Sequence, residues 1–425
     1  MKVGIYSLGC KVNIYESEFV EGLLKSNGFE IVPFEEKADI YIINTCSVTN
    51  EADKKSRKVI NRARRENPES IIVVMGCYSQ VKSDDIEADI VIGNKDKSKI
   101  IDLINEVIEN KNKVKKIYNL RNFSEFESME INNFDNHTRA FVKIQDGCNA
   151  FCSYCIIPYT RGRIRSKKMD SVIREVTNLV NNGYKEIVLT GIHTGKYGMD
   201  LDNVSLYDLL KELVKIDGIY RLRLSSIEIN EVTDDILNLM KESDVIASHL
   251  HIPLQSGSDK ILKLMNRCYD TKDFIDRISQ IKNIRDDMSI TTDLIVGFPK
   301  ESEEDFNETI NTLGKIGFTK IHTFPYSARD NTVASKMSGQ VDGNIKRKRV
   351  NKILKLSDTY EHNYYSKYKN KILEGVSETR KDGTVVIHTS NFIPVIVSND
   401  IKNNSIVKVK INKITDDNKV YGEVV

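Results

Sequence analysis

The stretch "AFVKIQDGCNAFCSYC" (140–155) decides how this chain is read. "AFVKIQ" has the composition of a buried strand. Directly after it, Cys148, Cys152 and Cys155 follow at spacing CxxxCxxC. Three is an awkward number of thiols. A closed structural zinc site takes four ligands, and a disulfide framework takes an even count. Three thiolates on a four-iron cluster leave one iron without a protein ligand, and that open iron can bind a substrate or cofactor. The other readings of these residues are a zinc site with a distant fourth ligand and a crowd of buried thiols.

Downstream, the strand candidates "EIVLTG", "RLRLSS", "SHLHIPLQ", "ITTDLIVG" and "KIHTFPYS" alternate with stretches of helical spacing such as "SVIREVTNLVNNG" and "SEEDFNETINTLGKI". Such βα units predict an incomplete (β/α)6 barrel over 138–365, with its chemistry at the carboxyl ends of the strands. Upstream, over 1–112, "VGIYSL", "IYIINT", "IIVVMG" and "IVIG" alternate with helical patterns and predict a parallel α/β sheet. The polar stretch 113–137 reads as a linker. Past 366, "ILEGVSET", "TVVIHT", "IPVIVS", "SIVKVKINKI" and "VYGEVV" are short strands with turns between them, the pattern of a small oligonucleotide-binding β-barrel.

Cys10, Cys46 and Cys77 are far apart, yet "YSLGC", "INTC" and "VMGC" each put Cys just past a strand candidate. Parallel strands end on one edge, so the three thiols can converge into a second open cluster site. Gly9 and Gly76 permit tight turns there. Three separately buried cysteines are the alternative. The remaining thiol, Cys268 in "MNRCYD", reads as a lone cysteine and not as a ligand.

The bulk numbers narrow the class. The chain has 425 residues, 40% hydrophobic and 29% charged, with a formal net charge of +2. Its length suits several domains, and near-neutrality leaves nucleic-acid binding to local patches. No run approaches a membrane span, and "MKVGIYSLGCKVN" is not expected to be a secretion signal. A cytoplasmic protein is therefore expected, where clustered thiols bind metal more often than they form disulfides. In "DKKSRKVINRARRENP" (53–68), Lys54, Lys58, Arg62 and Arg65 share a helix face, and with no acidic residue within 54–65 they are expected to lack i,i+4 partners, which suits phosphate contact. "RGRIRSKK" and "KRKR" are further basic stretches, and Tyr364, Tyr365, Tyr368 and Phe392 are candidate stacking surfaces.

Taken together, these motifs resemble the radical S-adenosylmethionine methylthiotransferases. "LGCKVNIYESE", "NTCSVTNEADKKSR" and "VMGCYSQ" are similar to the family's amino-terminal domain. "GCNAFCSYCIIPYTRGRIRS", "LTGIHTGKYG", "HLHIPLQSGSDKILKLMNR" and "DLIVGFPKESEEDF" resemble its radical domain, and the last 60 residues its RNA-binding TRAM barrel. "CKVN", "TCSVTNEADKKSRK" and "KIHTFPYSARDNTVASKM" look most like the branch acting on N6-threonylcarbamoyladenosine at tRNA position 37.

The resemblance implies two 4Fe-4S clusters: a radical cluster on Cys148, Cys152 and Cys155, and an auxiliary, sulfur-carrying cluster on Cys10, Cys46 and Cys77. It further implies S-adenosylmethionine as radical source and methyl donor, and insertion of sulfur at C2 of the adenine followed by methylation. The cofactors carry that chemistry, with no catalytic side chain expected. Gly191, His193, Ser226, Glu228 and Gln255, at strand ends, are the expected S-adenosylmethionine contacts. Arg161, Arg163 and Arg329 are candidates for the threonyl carboxylate or tRNA phosphates. The implied partners are a tRNA carrying the modified adenosine and an electron-donor protein, with no DNA and no membrane. Two competing readings are methylthiolation of a ribosomal protein, and an RNA-binding or iron-sensing protein whose clusters only hold the fold.

Overall fold

A computed structural model describes residues 1–134, 137–380, 382–398 and 400–425. The first sheet is built by β1 (Lys2–Ser7), β2 (Glu30–Val32), β3 (Ile40–Thr45), β4 (Ile71–Gly76), β5 (Ile90–Ile92) and β6 (Val114–Lys116), in the order β2-β1-β3-β4-β5-β6 with every pairing parallel. Helices α1 (Lys11–Ser26), α2 (Asn50–Glu66), α3 (Cys77–Lys82) and α4 (Ile100–Asn110) connect the strands. Every residue of β3 is buried, as expected where helices cover both faces of a parallel sheet. Thr49 caps α2 by accepting from the Ala52 amide at 3.2 Å. Glu51 and Asp53 in the first turn, with Arg64 and Arg65 in the last, complement the helix dipole.

The stretch 113–137 is not the simple linker expected. Its start forms β6 at the sheet edge. Met129, Ile131 and Phe134 are then buried in the core of the second domain. Their spacing, two residues and then three, keeps no single helix or strand period. Residues 135 and 136 of that stretch lie outside the described residues.

The second domain contains β7 (Ala140–Asp146), α5 (Ile157–Arg161), β8 (Arg165–Ser166), β9 (Glu186–Gly191), β10 (Arg221–Leu224), β11 (His249–His251), β12 (Ser289–Val296) and β13 (Lys320–Pro325). β7, β9 and β10 pair in parallel, as do β11, β12 and β13. Single parallel bridges, Leu222 to Ile246 and Ser226 to His251, join the two groups. The result is an open, partial barrel. Helices such as Met169–Asn181 and Glu303–Ile316 cover its outside. Among the described residues no helix is long and apolar enough to cross a membrane.

Helix α1 of the first domain packs on β7 and β9. Its Tyr15 enters the barrel core, where the hydroxyl lies 2.7 Å from the Met129 carbonyl oxygen and 2.8 Å from Glu175 Oε1. After the long helix Gly343–Ser366 come β14 (Ile372–Thr379), β15 (Val385–Thr389), β16 (Pro394–Val397), β17 (Ile406–Ile414) and β18 (Val420–Val424), which close a barrel in the order β14-β15-β16-β18-β17.

This small barrel docks on the second domain. Arg221 donates to the His388 carbonyl at 2.8 Å, and Arg223 to the Thr389 carbonyl at 2.6 Å. Three of the expected stacking aromatics are packing residues instead. Tyr364, Tyr365 and Tyr368 are buried in the small barrel's own core. Phe392 lies 4.7 Å, ring to ring, over His249 of β11.

Candidate active site between the two cysteine triads

Cys148, Cys152 and Cys155 occupy the loop leaving β7, at the carboxyl end of the partial barrel. Gln145 shapes this loop by donating to the carbonyls of Asp146 (2.9 Å) and Gly147 (2.7 Å). The Ala150 amide and His193 Nδ1 lie 3.4 and 3.3 Å from Cys148 Sγ, and Arg267 Nη1 lies 3.3 Å from Cys152 Sγ. Burial and the neighbouring Cys152 thiol push Cys155 up to about 12. Buried thiols are costly to ionise alone, and an adjacent metal offsets that cost.

The second triad is assembled by the sheet. β3 lies between β1 and β4, with Ser7 opposite Asn44 and Thr45 opposite Gly76. Cys46 and Cys77 are therefore the next residues past a matched pair, on strands about 4.8 Å apart. Gly9 has φ +108°, and a Cβ there would meet Cys46 Cβ at 3.0 Å. Gly76 has φ +107°, and a Cβ there would meet the Thr45 carbonyl oxygen at 2.5 Å. Only glycine brings the strand ends this close. Burial, then the Cys77 thiol, raises Cys46 to about 12. Cys10 keeps solvent contact although protein surrounds it, as a residue on a cleft wall does.

The two triads belong to facing elements. α3, which begins at Cys77, packs against α5, which begins two residues after Cys155. Asn94 crosses the gap, donating to the Thr160 carbonyl at 2.9 Å and approaching Cys77 Sγ at 3.5 Å. Arg161 is fully buried here. It donates to Glu16 (2.8 Å), Asp146 (3.2 Å) and Asn13 Oδ1 (2.8 Å), and Cys10 Sγ lies 3.7 Å from that same Asn13 oxygen. Burial opposes ionisation of Glu16, but Arg161, Lys143 and Lys97 hold its carboxyl well below the usual range. The charge of Arg161 also bears on all three thiols of the sheet triad. Its Nε is buried without a hydrogen-bond partner among the described residues. Such positive surroundings fit an anionic metal–sulfur group. Among the described residues no three His, Cys, Asp or Glu side chains close on a single-ion position.

Two cavities flank the barrel triad. One, of about 200 Å³, is lined by residues including Cys152, His193, Glu228, Arg267 and Cys268. Arg267 is ion-paired with Glu228, and His193 Nε2 lies 2.7 Å from Glu231 Oε1. Burial opposes protonation of His193, but Cys148 and Glu231 together raise it to about 10. The other cavity, of about 230 Å³, lies between the domains and is lined by residues including Val48, Cys155, Gln255, Asp293, Phe324 and Tyr326.

The five strand-end residues therefore do not share one pocket. His193 and Glu228 line the first cavity and Gln255 the second, whereas Ser226 is exposed and bridges to His251. Gly191 packs beneath Gln145, where a Cβ would meet Oε1 at 3.1 Å. Arg267 and Glu231 escaped sequence reasoning, though "MNRCYD" drew notice for Cys268 alone.

The basic residues also divide. Arg161 is committed to Glu16 and Asp146. Arg329 is buried on Asp53 (2.6 Å), Ser47 (2.8 Å) and Asn50 (2.6 Å). Neither is free to meet a ligand carboxylate, because each pins one domain to the other. Arg163 is exposed. On α2 the expected lack of acidic partners does not hold: Lys54 pairs with Glu51 at 2.7 Å, and Arg62 with Glu35 and Glu66 at 3.4 and 3.5 Å. These partners lie outside 54–65, which is why the local pattern hid them. Lys58 and Arg65 are exposed.

Comparison with known proteins agrees with this layout. Residues 2–94 match the family described as "Uncharacterized protein family UPF0004", and residues 142–313 the "Radical SAM superfamily". The chain is 43% identical to the threonylcarbamoyladenosine tRNA methylthiotransferase MtaB of Bacillus subtilis, over 97% of this chain and 94% of that one. It is 39% identical to its namesake from Aquifex aeolicus, over 93% and 96%. A tRNA-2-methylthio-N(6)-dimethylallyladenosine synthase of Clostridium botulinum is 37% identical over 89% and 86%. Among solved structures, the radical S-adenosylmethionine methyltransferase TsrM of Kitasatospora setae shares the fold, with TM-score 0.58 at 13% identity over 79% of this chain and 77% of that one. With its sheet-end and barrel-end triads opposed, this chain belongs to the radical S-adenosylmethionine superfamily and, within it, to the threonylcarbamoyladenosine tRNA methylthiotransferase family.

Proposed function

We propose that the chain inserts sulfur at C2 of N6-threonylcarbamoyladenosine at tRNA position 37 and methylates it to the 2-methylthio derivative. The observation that carries this reading is the opposition of two three-cysteine sites across α3 and α5, in a chain 43% identical to a methylthiotransferase of that name. Cys148, Cys152 and Cys155 would hold a 4Fe-4S cluster with one open iron, and Cys10, Cys46 and Cys77 a second. When bound, the first supplies reductive cleavage of S-adenosylmethionine to a 5′-deoxyadenosyl radical, and the second the sulfur to be transferred.

The protein's own part is placement. Arg267, ion-paired with Glu228 and beside Cys152, would form the polar wall of the first cavity against which S-adenosylmethionine binds. His193, braced by Glu231, orients beside Cys148. The interdomain cavity takes the flipped adenine, with Val48 and Phe324 as its exposed apolar rims. Lys58, Arg65 and Arg163 are the exposed cations offered to tRNA phosphates. An electron-donor protein supplies the reducing equivalent.

A second reading has a specific observation behind it. The interdomain cavity wall is mostly apolar, with Ile156, Ile157, Ile295 and Pro325, which suits an isopentenyl substituent. Competition between anticodon stem-loops bearing threonylcarbamoyladenosine and isopentenyladenosine, read by nucleoside mass, separates the two. Methylthiolation of the threonylcarbamoyl substrate with little of the other is the expected result. Equal turnover, or preference for the isopentenyl substrate, would overturn the assignment.

A further inference from the structure

Two of the arginines expected to meet a substrate carboxylate are sequestered, so the question is which cations the cleft leaves uncommitted. Lys11, the first residue of α1, follows Cys10 directly and is exposed in the cleft. Its ammonium has no hydrogen-bond or ion-pair partner among the described residues, whereas the nearby acids are engaged. Glu186 is held by Arg221 at 3.0 Å and Arg223 at 2.6 Å. Arg139 is paired with Glu378 at 3.5 Å.

A second group of polar side chains lines one face of β11 to β13. In register, Thr291 lies opposite Lys320, Asp293 opposite His322 and Ile295 opposite Phe324, and His251 pairs with Thr291. His251 and His322 have ring centroids 5.7 Å apart. His251 Nδ1 is 2.9 Å from Thr291 Oγ1 and its Nε2 is 3.2 Å from Asp293. His322 is exposed and its ring nitrogens have no hydrogen-bond partner among the described residues. Arg223, His251, Lys11 and His322 all lie near enough to His249 to act on its ring, and burial together with these neighbours holds that imidazole well below its usual range. Asp293 also lines the interdomain cavity beside Cys155. The lumen around these groups thus joins the cavity, and Lys11 is its unpaired cation among the described residues, since burial and His251 hold the His322 imidazole below its usual range.

We infer that Lys11 and His322, with His251 behind them, form the subsite for an anionic substituent on the target base, a carboxylate carried on N6. This rests on the adenine-modifying reading above. An ammonium and an imidazole N–H without protein partners can donate charge-assisted hydrogen bonds to the two oxygens of one carboxylate. The apolar cavity wall then holds the base, and the lumen below selects its substituent. A neutral substituent of equal size would leave these donors unpaired, which is how polar sites reject isosteres.

The test compares two anticodon stem-loops that differ at one group: threonylcarbamoyladenosine, and its threoninamide analogue in which the carboxylate is a neutral carboxamide. Equilibrium binding to the reconstituted full chain is measured, with iron and sulfide content checked for each variant. The wild type should bind the acid about tenfold tighter than the amide. Lys11→Gln and His322→Gln should each bring that ratio to within about threefold, and Lys11→Arg should keep it. A ratio unchanged in both Gln variants, with the wild type still discriminating, overturns the subsite and leaves the substrate reading standing. A wild type that binds acid and amide equally overturns the subsite as well. Failure of the substrate reading shows separately, as no methylthiolation of the acid stem-loop by the wild type.

Discussion

On the proposed reading the two cysteine triads would perform the same task, three thiols around an open metal group, by opposite routes. Cys148, Cys152 and Cys155 lie within one loop, and their spacing is set by local chain geometry. Cys10, Cys46 and Cys77 are brought together only when β1, β3 and β4 pair in register. A site written in a loop tolerates strain elsewhere in the molecule. A site written in a sheet is only as well formed as that sheet.

The sharpest way to exploit this contrast is to remove one thiol from the local triad. Cys152→Ala should abolish production of 5′-deoxyadenosine, since two thiolates do not hold the open-iron geometry, and iron content should fall by about half. Production of 5′-deoxyadenosine at the wild-type rate by this variant would remove the radical assignment.

A smaller effect should come from Arg161→Met. Breaking one side of the buried group of Arg161, Glu16 and Asp146 leaves buried carboxylates uncompensated and should cost about 3–5 kcal/mol. Denaturant unfolding would measure this loss. A neutral outcome would mean that the network does not fasten the domains.

Ile43→Ala tests the dependence on the sheet. Ile43 is fully buried in β3, and its truncation should cost about 2–5 kcal/mol. Iron should be lost first from the sheet triad, with S-adenosylmethionine cleavage retained. Equal loss from both sites would erase the proposed difference between them.

The smallest effect is expected on the surface. Lys58→Ala and Arg65→Ala should each lower the slope of log K against log salt for tRNA binding by about one, with little change in base preference. An unchanged slope would place the phosphate path elsewhere, such as at Arg163.

The same contrast explains what was legible in the sequence. The loop triad and the strand-helix alternation depend on neighbours along the chain, so the partial barrel, the parallel sheet and the small closed barrel could all be read directly. The sheet triad was legible because each Cys follows a strand, although nothing in the spacing fixes which strands adjoin. Arg161 and Arg329 misled because a basic residue near a strand end looks like a ligand contact. Their partners, Glu16 and Asp53, lie 145 and 276 residues away. Tyr364, Tyr365 and Tyr368 misled similarly, since an aromatic run reads equally as a stacking surface or as core. Lys11 stands in the motif "CKVN", yet no contact could be assigned to it from sequence, because its significance lies in the ion pairs its neighbours make with other groups.

The central claim is that the two triads divide one reaction between them, and Cys46→Ala tests it most directly. With reconstituted protein, S-adenosylmethionine, reductant and a threonylcarbamoyladenosine stem-loop, the nucleosides and the 5′-deoxyadenosine are measured in the same sample. Wild type should give both 5′-deoxyadenosine and the 2-methylthio nucleoside, and Cys46→Ala should give the first without the second. Formation of the methylthio nucleoside by Cys46→Ala would contradict the account.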